Sequence, residues 1–148
     1  MRLRAVVFAA ALVAGCNTVD LGDNFTQGEV AVNDDFFYCR VQPEVISAFS
    51  CSEGAAGEGG QCHGDMSAMR LRTIPTLVAC DVDGVVSGTI SPEERTNFEA
   101  SRAQVSGTSS NSPLLLRPIG VQSHPRVIFA PGDPPADILR MWIDGAGP

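Results

Sequence analysis

Phe37-Tyr38-Cys39-Arg40-Val41-Gln42-Pro43-Glu44-Val45-Ile46, then Cys51, a glycine-rich run and Cys62-His63-Gly64 decide the reading of this 148-residue chain. A cysteine followed directly by histidine is the back half of the covalent haem-attachment signature. There thiols form thioethers with haem vinyl groups and the imidazole binds the iron. The front half requires a cysteine where Gly59 stands, and the nearest upstream cysteine is Cys51. The signature is therefore stretched to C-x10-C-H. Widening the gap this far costs about 1.4 kcal/mol of loop-closure entropy. Gly54, Gly57, Gly59 and Gly60 make such a loop easy to close. On the residues alone three outcomes stay open: haem on both thiols, haem on Cys62 only, or a Cys51–Cys62 disulfide without haem.

Outward from this stretch the pattern is mainly α, with long loops. Phe36, Phe37, Val41, Val45, Ile46 and Phe49 approximate a helical stripe, and Asp34 and Asp35 suit its N-terminus. Pro43 lies inside the stripe, which predicts a second helix starting there. Thr76 to Cys80 is a short apolar run expected to be extended. Asp81-Val82-Asp83-Gly84 reads as a turn. A calcium loop would need carboxylates where Ala79 and Ile90 stand. Ser91-Pro92-Glu93-Glu94 has the cap, first-turn proline and early carboxylates of a helix running to about Gln104. Leu114 to Leu116 suit one or two helical turns. In the last segment Asp133 caps, Pro134 starts, Ile138, Leu139, Met141 and Trp142 form one face, and Gly145 stops the helix. Loops this long need a buried cofactor or disulfides to tie them down.

The N-terminus predicts export. Arg2 and Arg4 precede an apolar run from Ala5 to Ala14, and Val13-Ala14-Gly15-Cys16 follows. A basic head, a short apolar stretch and small residues before a cut describe a secretory signal rather than a membrane span. This segment resembles a bacterial lipoprotein signal, which implies diacylglycerol on Cys16 and a membrane held through that lipid anchor. By the same resemblance Asn17 directs the protein to the outer membrane, with the domain in the periplasm or at the cell surface. The expected organisation is a signal over 1–15, a flexible tether over 16–33 and one domain over 34–148. Without the signal the chain has 8 Arg and no Lys against 17 acidic residues, a charge near −9. That excludes nucleic acid as a partner and suits docking to a basic redox protein. No Ser-His-Asp set, phosphate-binding loop or zinc spacing is present, so no enzyme activity is expected.

Phe37…Val41-Gln42-Pro43…Cys51…Cys62-His63-Gly64 resembles the first haem-binding helix of a c-type cytochrome domain. More closely, it is similar to divergent cytochrome c-like lipoproteins of myxobacteria and planctomycetes, with their F..VQP.L…C..CHG pattern. The likeness continues at Ser112-Pro113-Leu114-Leu115-Leu116-Arg117-Pro118, at His124, and at Trp142-Ile143-Asp144-Gly145-Ala146, like the W-I-x-x-G-A of their last helix. It covers most of 35–147, sparsely. The resemblance implies a small cytochrome c-like domain and one-electron transfer on haem c. Cys51 and Cys62 would anchor the haem, and His63 would bind the iron. The chain has two histidines, so His124 is the candidate for the opposite face. If haem takes Cys51 and Cys62, then Cys39 and Cys80 remain to form a disulfide. The alternative pairing, Cys39–Cys51 with Cys62–Cys80, leaves no thiol for haem. It belongs to the second reading, a haem-free, disulfide-stabilised structural or binding lipoprotein.

Overall fold

The computed structural model describes residues 31–52, 63, 64, 67 and 69–145. The expected signal, most of the tether, the lipidation residue Cys16, the glycine-rich loop and Cys62 lie outside the described residues. The described part is mainly helical. Its one β feature is an isolated antiparallel bridge between Cys80 and Val86.

Helix α1 (Asp34–Phe36) starts where the Asn33 side chain accepts the Phe36 N–H at 2.9 Å. It runs without a break into a π-helical stretch, Phe37–Ser47. The break expected at Pro43 does not occur. Proline has no N–H, and its ring crowds the carbonyl four residues back. The wider turn absorbs both defects: Ala48 N–H reaches the Pro43 carbonyl at 3.2 Å, and Cys51 N–H reaches Ile46 at 3.0 Å, each five residues back. π-turns of this kind are rare and concentrate at functional sites.

One face of this long helix carries Phe37 and Tyr38 into an aromatic cluster. The Phe37 ring lies 5.4 Å from Tyr38, 5.2 Å from Phe98 and 5.1 Å from Trp142, centroid to centroid. Phe98 comes from α2 (Pro92–Arg102) and Trp142 from α4 (Pro134–Ile143). The Trp142 indole N–H donates to the Asn33 carbonyl at 2.8 Å, tying the last helix to the start of the domain. The expected α4 face needs one correction: Met141 is exposed, and Ile143 is buried in its place. The short helix α3 (Pro113–Leu116) buries Leu114 and Leu115.

The long connection from Met69 to Ser91 is held by buried polar groups. Asn97 accepts the Arg72 N–H through Oδ1 at 2.6 Å, and its amide donates to the Arg72 carbonyl and to Gln42 Oε1. Glu94 closes the predicted capping box with Ser91 and accepts the Val78 N–H at 2.7 Å. Cys39 and Cys80 are disulfide-bonded across 41 residues, with their Cα atoms 5.9 Å apart. A bridge closing that length of chain stabilises by about 4 kcal/mol in the chain-entropy account. The expected extended run before Cys80 pairs only through the Cys80–Val86 bridge. Between them Asp81 Oδ1 accepts the N–H groups of Asp83 and Val85, and Gly84 takes a φ of 78°. This is the turn expected from the sequence.

Candidate functional site

Further along the π-helical stretch the packing opens into a cavity, walled in part by Leu114 of α3 and Leu139 of α4. Val41, Val45 and Ile46, with Phe49, Leu71, Leu114, Ile128, Phe129 and Leu139, wall an apolar cavity of about 470 Å³. That size falls in the range of small-molecule and cofactor sites. Its apolar lining is broken by Cys51, His63, His124, Arg117 and Arg126, and by the polar side chains of Ser67, Gln104 and Ser123. Among the described lining residues the only charges are these two arginines. In a chain with 17 acidic residues against 10 basic ones, that composition is selective.

His63 and His124, 61 positions apart in sequence, meet here with ring centroids 5.9 Å apart and planes inclined by 21°. Two imidazoles bound to one metal from opposite sides have centroids about 6.3 Å apart, from metal–nitrogen bonds of about 2.0–2.1 Å. The two rings are close to parallel, and their centroid separation is somewhat shorter than that distance. The hydrogen bonds select the atoms. His63 Nδ1 lies 3.2 Å from the Met69 carbonyl, and His124 Nδ1 lies 2.6 Å from the Arg126 carbonyl. A carbonyl can only accept, so Nδ1 carries the proton in both rings. In the neutral imidazole the lone pair is then on Nε2. Neither Nε2 has a hydrogen-bond partner among the described residues. This is the arrangement that prepares histidine as a metal ligand: one nitrogen fixed by a carbonyl, the other bare. Burial pushes the His63 imidazole below the usual histidine range. The Met69 hydrogen bond opposes this, while His124 and Arg117 add to it. Among the described residues no group of three His, Cys, Asp or Glu side chains is clustered to hold a bare metal ion.

Local folding positions each group. His63 N–H donates to the Cys51 carbonyl at 3.1 Å, so the two ends of the glycine-rich loop meet beside the cavity. The His63 carbonyl accepts the N–H of buried Leu71 at 2.6 Å. Ser67 Oγ lies 3.2 Å from His63 Nδ1 and accepts the Met69 N–H, bracing the ring a second time. Cys51 sits at the foot of the π-helical stretch with Sγ 4.0 Å from the Val45 carbonyl. His124 rides on the loop after α3, whose base turns at Gly120 with a φ of 77°.

Of the residues singled out from sequence, Cys51, His63 and His124 are brought together in one cavity. Cys39 and Cys80 are joined elsewhere, on the far side of the long helix. Sequence reasoning missed Arg117, Arg126 and Ser67 as lining groups. Arg117 did carry a signal, since it lies inside the quoted Ser112–Pro118 motif, but nothing in its neighbours marks a cavity. No known family, characterised protein or solved structure matches the chain.

Proposed function

We propose that the domain is a divergent monohaem cytochrome c-like module that carries single electrons and performs no substrate chemistry. The observation that carries this reading is the His63–His124 pair. Two imidazoles lie close to parallel in an apolar cavity, each with Nδ1 tied to a carbonyl and Nε2 without a hydrogen-bond partner among the described residues. The cavity chemistry fits haem at four points. Cys51 supplies a thiol at its wall, and Cys62, adjacent to His63 in sequence and outside the described residues, would supply the second. Apolar walls suit the macrocycle. The Arg117 and Arg126 guanidiniums suit the two carboxylates that haem bears.

Bound haem would supply a one-electron iron couple. The chain's own groups do the rest. His63 and His124 would hold the iron, and two imidazoles would set a lower potential than imidazole with methionine. Val41, Val45, Leu114 and Leu139 exclude water. Arg117 and Arg126 offset negative charge at the edge. In this reading Cys16 anchors the protein by two acyl chains, sufficient for stable attachment. The redox partner is a basic protein in the cell envelope. The sparse cytochrome-like motif order in the sequence supports the same conclusion.

The mature domain, produced with a cytochrome maturation system, should give a pyridine haemochrome spectrum and a mass increased by one haem. A colourless protein of unmodified mass, under conditions that mature a control cytochrome, sinks the reading and favours the haem-free lipoprotein. Cys16→Ala should abolish lipidation and move the full chain out of the membrane fraction.

A further inference from the structure

The lining of the cavity is graded in burial. Val41, Val45, Ile46 and Leu139 are buried, His63 and His124 are half-buried, and Arg117 is exposed. An apolar floor, a polar middle and a cationic mouth suit an amphiphile that enters tail first. Each level sets a chemical requirement. The floor takes hydrocarbon. In the middle, both Nδ1 atoms donate to carbonyls, so each neutral ring offers Nε2 as an acceptor. Neither Nε2 has a hydrogen-bond partner among the described residues. A half-buried bare acceptor is matched by a ligand group that donates, and a hydroxyl is the smallest. At the mouth the charge is positive. No Asp or Glu lines the cavity among the described residues, and Arg117 makes no ion pair among them. Arg117 also lies within electrostatic reach of His63: burial lowers the His63 pKa most, and His124 and Arg117 lower it further. The donor and the anion of a ligand that meets both groups are therefore close together on one molecule.

We propose that the cavity, in the chain without haem, binds a medium-chain hydroxy acid. The hydrocarbon tail lies against the buried floor, the hydroxyl donates to His63 Nε2, and the carboxylate meets the Arg117 guanidinium. This inference goes beyond the haem reading and does not rest on it. No metal takes part and no covalent bond forms. A free acid is required rather than an esterified chain, because an ester brings no charge to Arg117.

The probe is 3-hydroxydecanoate, followed by calorimetry on the full chain carrying Cys16→Ala, produced without haem and free of detergent. It should bind at one site per chain. Decanoate, which lacks the hydroxyl, should bind about 5-fold more weakly, the worth of one hydrogen bond. The methyl ester of the hydroxy acid, which lacks the charge, should bind about 3-fold more weakly, since Arg117 is exposed and its ion pair is screened. Each methylene removed from the tail should weaken binding about 4-fold. His63→Phe should erase the difference between the hydroxy acid and decanoate. Arg117→Gln should erase the difference between the hydroxy acid and its ester. The ligand comparisons stand even where a variant fails to fold. No binding, or equal affinities in either ligand comparison, overturns the proposal and leaves an apolar cavity that traps hydrocarbon unselectively. The haem-loaded chain should not take up the acid, because haem fills the same cavity, and uptake there would also overturn it. The haemochrome test bears on haem alone, so the two readings fail separately.

Discussion

The long helix of this domain serves two ends that differ in kind. Toward Phe98 and Trp142 it meets a packed aromatic core, where the buried amides and carboxylates of Gln42, Asn97 and Glu94 are bonded to protein groups. Toward His63 and His124 it meets a cavity of about 470 Å³ where the Nε2 atom of each ring has no hydrogen-bond partner among the described residues. A buried polar group without a partner costs about 1–3 kcal/mol, so folds satisfy such groups or keep them for a ligand. The first end stabilises the domain. The second end is less densely filled, and its two histidines are half-buried.

The contrast is tested most sharply at its centre of mass. Trp142 is fully buried, contacts Phe37 and Phe98, and donates to Asn33. Trp142→Ala should destabilise the domain by about 4 kcal/mol in urea unfolding, the range for large aromatic truncations. A loss below about 1 kcal/mol would mean that the aromatic cluster is not the core.

A paired substitution compares the polar groups of the two ends. Asn97→Ala leaves the Arg72 N–H and carbonyl and the Gln42 amide without their shared partner, and should cost about 2 kcal/mol. His63→Leu, in the domain produced without haem, removes a polar group from apolar surroundings at similar volume. It should cost less than half as much while abolishing haem attachment. Equal losses in the two variants would erase the distinction between a satisfied core and a prepared site.

The packed end has one flaw of its own. Ser101 Oγ is buried with no hydrogen-bond partner among the described residues. Ser101→Ala removes that hydroxyl and favours the helix, so stability should rise by about 1 kcal/mol. An unchanged or lower midpoint would show that the hydroxyl is satisfied by solvent.

Much of this division was legible in the sequence where the signal is local. The Ser91–Glu94 cap and the Asp81–Gly84 turn are short motifs whose chemistry acts over four residues, and both appear as read. The last helix starts at Pro134 as expected, but the Asp133 carboxylate accepts the Ala130 N–H rather than capping it. The Cys39–Cys80 bridge was expected on the condition that haem takes Cys51 and Cys62, with Cys39–Cys51 and Cys62–Cys80 as the alternative, and the first pairing is the one present. The continuous passage through Pro43 was not legible, because a π-turn depends on what packs around the helix rather than on proline itself. Met141 was misassigned because a stripe of apolar residues over ten positions does not fix the rotation of a helix to within one residue. The pairing of His63 with His124 was suggested only by there being two histidines. The braces of Ser67 and Met69 and the two arginines at the cavity come from chain segments that meet through the fold alone.

The smallest expected effect concerns the charge state of the prepared end. Burial, opposed by the Met69 hydrogen bond and reinforced by His124 and Arg117, depresses the His63 pKa in the folded domain. In the unfolded chain this imidazole titrates near the ordinary value of about 6.5. Between the depressed folded value and about 6.5 the unfolded state therefore binds more protons than the folded one. Stability must rise with pH across that window and flatten above it. As pH falls through the window, protonation favours unfolding, and it would also remove the Nε2 lone pair needed for a metal. The haem-free domain should be less stable just below pH 6 than at pH 7.5. The His63→Leu variant should show a smaller difference. Proton NMR of the His63 ring gives the direct reading. A midpoint at or above 6.5 in the folded domain would mean that the ring is solvated, and that this end of the helix faces water rather than a dry cavity.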